Sequence, residues 1–165
     1  MTWRSILYSF FVIILLITSV EAAPFQPNDS SPEGIVLKVY KDFAWEAVMA
    51  AEHYDGLMQQ PQIVLEKYFD EKLTSLILKD RACAKKEGLC NLDFLPIWDS
   101  QDPSAGDLIV AKTNKPNIIA VTFCYPSTSE KKELKYQVTK TKKGWRISNI
   151  SGKDWSLLSI LSLPQ

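Results

Sequence analysis

Histidine is nearly missing from this chain: His53 is the only one in 165 residues, and cysteine occurs three times. A single imidazole excludes histidine-rich metal sites and leaves one candidate for the commonest general base. The three cysteines match no zinc-ligand spacing, so no metal is expected. Phosphate-binding loops, dinucleotide fingerprints and EF-hand loops do not occur, so no cofactor is expected either. An excess of one charge is missing too, since 19 Lys and Arg stand against 19 Asp and Glu. Without a basic block to follow a phosphate backbone, nucleic acid is not an expected partner. Long apolar runs are also lacking. The longest, Ile6 to Val20, at about 1.5 Å per residue is too short for a hydrocarbon core about 30 Å thick.

That run has a different meaning at the start of a chain. Arg4 supplies a short positive region before it, and Val20-Glu21-Ala22 follows with small residues where a signal peptidase reads. Residues 1–22 therefore read as a signal peptide cleaved after Ala22, with an uncleaved anchor as the alternative. No cysteine follows the run, so no acyl anchor is expected. Residues 23–32, with Pro24, Pro27 and Pro32, read as a flexible leader. Residues 33–165 are one domain's worth of chain. The expected location is the periplasm or outside the cell, with no stable membrane anchor after cleavage. Cysteine use agrees. Cys83 and Cys90 are spaced to close across a helix end, and Cys124 is left over in a strand-like run. Spacing alone does not fix connectivity, so a bridge from Cys124 to either partner stays open.

The mature part divides into a helical half and a strand half. Val36, Val39, Tyr40, Phe43, Ala47, Ala50 and Tyr54 recur at helical spacing, predicting one long helix over 33–54 that Gly56 ends. A short turn with Ile63, Val64 and Leu65 follows, then a helix capped by Asp70 that runs toward Cys83. Beyond an Asp- and Pro-rich loop the period becomes two. Strands are predicted at 108–112, 118–125, 134–140 and 145–150, joined as hairpins. The fold class is α+β, with N-terminal helices covering the dry face of a curved, four-stranded antiparallel meander. The tail from Trp155 to Leu163 reads as a short helix or an added strand. It is expected to close one end with Trp155 and Leu158 and to offer Leu157, Ile160 or Leu163 outward.

Short motifs carry a resemblance. Tyr68-Phe69 leads into Leu73, then come Asp93-Phe94, Gln101-Asp102, and Gly144-Trp145-Arg146-Ile147 with Ile150 behind. With helices first and a meander after, the chain resembles the cone-like fold named after nuclear transport factor two. More narrowly, it resembles a bacterial envelope family of unknown function that includes the lipoprotein YbjP. The acylated cysteine of the lipoprotein members is absent here. The resemblance implies a cone-like domain in the envelope and brings no activity with it.

Candidate residues fall in three groups. Asp93, Asp99, Gln101 and Asp102 sit among Phe94, Leu95, Ile97 and Trp98, and could line a cone mouth that holds a cation or a cationic ligand. The structural alternative, which is favoured, has Asp99 and Asp102 bonding backbone amides in turns and Gln101 tying the loop to the sheet. His53 shares a helix flank with Glu46 and Asp42 and could act as a tuned base, although a helix-terminal imidazole is the commoner use. Trp45 lies off the apolar stripe and could line a pocket. The expected function is an exported, non-enzymatic binding or interaction module for a small ligand or another envelope protein. Its rivals are a small lyase, isomerase or hydrolase using Asp99, Asp102 or His53, and an inhibitor of an envelope enzyme or toxin.

Overall fold

A computed structural model describes residues 30–48 and 55–164. Helix α1 (Pro32–Phe43) starts where Ser31 Oγ accepts the Gly34 N–H at 3.0 Å, with Pro32 in the first turn. It buries Ile35, Val36, Val39, Tyr40 and Phe43. It then stops short of the expected length. The next four residues, Ala44–Ala47, form a 3₁₀ turn. Phe43 and Ala47 still point inward, so the apolar spacing continues although the helix does not. Ala50, His53 and Tyr54, the rest of the expected helix, lie outside the described residues. Gly56 does not end this helix but precedes a further 3₁₀ turn, Leu57–Gln59.

A one-turn helix, α2 (Gln62–Leu65), leads to α3 (Glu71–Glu87), which Asp70 caps by accepting the Leu73 N–H at 2.8 Å. Gly88, at φ 85°, turns the chain out of the helix, a conformation that glycine adopts freely. Cys83 and Cys90 are bonded across this turn, with their Cα atoms 5.7 Å apart. The bridge settles the pairing and leaves Cys124 as a free, half-buried thiol. Such a bridge is at home in an oxidising compartment. No helix among the described residues is long and apolar enough to cross a membrane.

The strands are β1 (Gly106–Lys112), β2 (Ile118–Tyr125), β3 (Glu130–Thr141) and β4 (Gly144–Ser151), paired antiparallel in chain order and not closed into a barrel. Ile119, Val121 and Phe123 of β2, and Leu134, Tyr136 and Val138 of β3, line the buried face, while Lys131, Glu133, Lys135 and Gln137 are exposed. An extra residue in β4 at Ser148, where Gln137 faces Asn149 and Val138 faces Ile147, lets Ile147 and Ile150 both point inward. Helix α1 packs across all four strands. The fold is therefore the expected helix-covered meander.

The tail is a short helix, α4 (Leu157–Leu161), and its facing corrects the expectation. Leu157 and Leu161 are fully buried and Leu158 only half-buried. The reason is the start point. Ser156 bridges to Ser151 and bonds Asn149, so the first helical residue is Leu157, and the i, i+4 pair it forms with Leu161 sits on the domain. Of the three residues expected to face outward, Leu163 alone is exposed, and Ile160 is half-buried.

Candidate functional site

The concave side of the sheet is filled with aromatic side chains. The Tyr40 ring meets Trp98 edge-on at 5.2 Å and Tyr136 at 6.0 Å, and Trp98 meets Phe123 at 5.6 Å. Tyr40 spends its one hydroxyl proton on the Ile97 carbonyl at 2.8 Å, so Tyr136 donates to Tyr40 across their 2.8 Å contact. Burial pushes both phenols well above their ordinary range. They stay neutral and act as a clasp between α1, the Asp- and Pro-rich loop and β3.

Beside this stack lies a carboxylate that sequence reasoning placed only as a neighbour of His53. Glu46 is 6% exposed. One of its oxygens accepts the Leu57 N–H and the other the indole N–H of Trp98 at 3.2 Å. Burial raises its carboxyl above the usual range, partly offset by those two donors. Its position had a signal: it stands three residues after Phe43 and seven after Val39, on the inward stripe. Gly56 answers to it as well. A Cβ there would come within 2.8 Å of Glu46 Oε1, so the backbone approaches the carboxylate only because no side chain intervenes.

Glu46 forms the inner end of a surface depression of about 470 Å³. Trp45, Met58, Leu92, Phe94 and Leu95 make its apolar walls, and Asp55 and Asp93 join Glu46 as acidic groups. No lysine or arginine lines it among the described residues. Gln101 donates to Asp93 at 3.4 Å inside the same depression. Three of the sequence-derived candidates, Trp45, Asp93 and Gln101, thus come together here. Gln101 ties the loop to itself rather than to the sheet.

The other candidates are elsewhere. Asp99, at φ 52°, does not bond a backbone amide. Its carboxylate accepts the indole N–H of Trp155 and pairs with Lys132 at 3.3 Å. Glu130 and Asp99 together hold the Lys132 ammonium above its ordinary range. Asp99 therefore joins the tail and β3 to the loop. Asp102 is exposed, and its main-chain N–H, not its carboxylate, makes the local bond, to Ser100 Oγ at 3.1 Å. The expected amide cap at Asp102 is not formed. His53 lies outside the described residues. Among those residues no three His, Cys, Asp or Glu side chains are grouped to hold a metal ion.

No family model, curated protein or solved structure matches this chain. The depression and the aromatic fill behind it are thus the ground for a functional reading.

Proposed function

We propose that this chain is an exported binding module of cone-like architecture, whose Trp45–Asp93 depression receives a cationic group carried on an apolar body. A Lys- or Arg-bearing segment of another exported protein has that chemistry. The observation that carries the reading is the lining: apolar walls, three carboxylates and no facing cation among the described residues. The signal-like N-terminus and the disulfide support export. The likeness to the envelope family is part of the same proposal.

A binding role rather than acid–base chemistry is favoured by what holds Glu46. Both of its oxygens are engaged by fixed N–H donors, and the space behind it is packed with rings, so it serves as a fixed negative pole. The test is an NMR titration with phenethylammonium and with its neutral counterpart, 2-phenylethanol. The expected outcome is amide shifts confined to Trp45, Asp55–Gln59 and Leu92–Leu95, several-fold larger for the ammonium, and reduced in an Asp55→Asn, Asp93→Asn double variant. Equal shifts with both probes, or shifts scattered over the surface, would defeat the reading.

A further inference from the structure

The two edges of the sheet are finished differently. Along β4, Ile147 donates to the Tyr68 carbonyl at 2.8 Å and accepts from the Asp70 N–H at 3.0 Å, while Ser151 bridges to Ser156. That edge is covered. Strand β1 pairs with β2 on one side, and no described residue bonds the backbone of Leu108 to Lys112 on the other. Edge strands are ordinarily blunted by charges, proline or shortness, because unpaired backbone groups recruit another strand. Here Leu108, Ile109, Val110 and Ala111 run without a charge, and Leu108 and Ile109 are 38% and 58% exposed. Helix α1 covers only the inward face of this strand.

The strand's own ends say what fits it. Asp107 stands at one end and Lys112 at the other, its side chain 78% exposed although its ammonium touches Glu33. Antiparallel pairing with an identical strand about Val110 sets Leu108 of each copy opposite Lys112 of the other, with Asp107 next to it in the bulge, and sets Ile109 and Val110 opposite Ala111 and Val110. A parallel pairing would instead stack like charges. The bulge between Gly106 and Ile109, with Asp107 at φ 53°, breaks the ladder on one side. The turn that Thr113 closes on Lys115 and Ile118 ends it on the other. The open stretch is thus Leu108–Lys112, which restricts the register.

We infer that β1 is a self-pairing edge: two copies join antiparallel through Leu108–Lys112, centred on Val110, and make one continuous sheet from two meanders. This surface is separate from the Trp45–Asp93 depression, so either proposal can fail without the other.

Sedimentation equilibrium of the purified exported chain over a wide dilution series should show a reversible monomer–dimer equilibrium. An Ile109→Lys, Ala111→Lys variant alters only exposed positions and opposes like charges, and it should be monomeric throughout with unchanged thermal unfolding. In a Cys124→Ser background, Ile109→Cys combined with Ala111→Cys, which face each other across the pair, should oxidise to a covalent dimer, whereas Ile63→Cys, on a still more open part of the surface, should not. A wild-type chain that stays monomeric at every concentration overturns the inference. So does a dimer that survives the lysine pair, or cross-linking that is no better at positions 109 and 111 than at 63.

Discussion

At the scale of single residues the molecule is organised by a few polar groups buried among rings. Glu46 is the most consequential, because its protonation is coupled to folding. Its carboxyl titrates higher in the folded chain than in the unfolded one. Between those two values the folded state holds the extra proton, so this group's contribution to stability falls as pH rises through that window. Denaturant unfolding of the wild type and Glu46→Gln from mildly acidic to neutral pH should therefore show the wild type losing ground to the variant as pH increases. A pH-independent difference would mean that the two N–H donors fully offset the burial. The sequence reading set Glu46 on a flank beside His53 and gave no hint of its partners, which arrive from Leu57 and from Trp98, 52 residues away. Asp99 was opaque for the same reason: Trp155 and Lys132 reach it from the tail and from β3. Local pattern reports which face a residue takes, not what it meets there.

Among the elements, the strands were the most legible, because alternation of wet and dry side chains is the pleat itself written in sequence. The end of α1 was not, since the apolar spacing that marks a helix runs on through the 3₁₀ turn to Ala47. The connection after α3 shows what a short covalent tie adds. The Cys83–Cys90 bridge fixes the loop two residues before Leu92, which walls the depression, and the buried Asp80 holds the same loop by accepting the Asn91 N–H at 2.9 Å. Replacing both cysteines by serine should cost about 2.5 kcal/mol on the chain-entropy account. The urea midpoint should drop, and adding a dithiol reductant to the wild type should reproduce the drop. The NMR shifts induced by phenethylammonium should weaken in step, because Leu92 and Asp93 lose their anchor.

For the whole molecule, the tail is part of the core rather than an appendage. Deleting residues 156–165 removes Leu157 and Leu161, both fully buried, at roughly 1.5–3 kcal/mol for each side chain. That is a large fraction of the stability of a domain this size, about 5–15 kcal/mol. The truncated chain should melt far below the wild type by circular dichroism, whereas Leu163→Ser, at an exposed position, should melt like the wild type. The packing of α1 has a consequence in time. Its buried face rests on all four strands, yet it precedes every one of them in the chain, and the Tyr40–Tyr136 clasp spans 96 residues. During synthesis the sheet that the first helix covers is complete only when the last hairpin is made. Contacts this distant are slow to close. A chain assembled in that order completes its core only when β3 and β4 have closed behind the first helix.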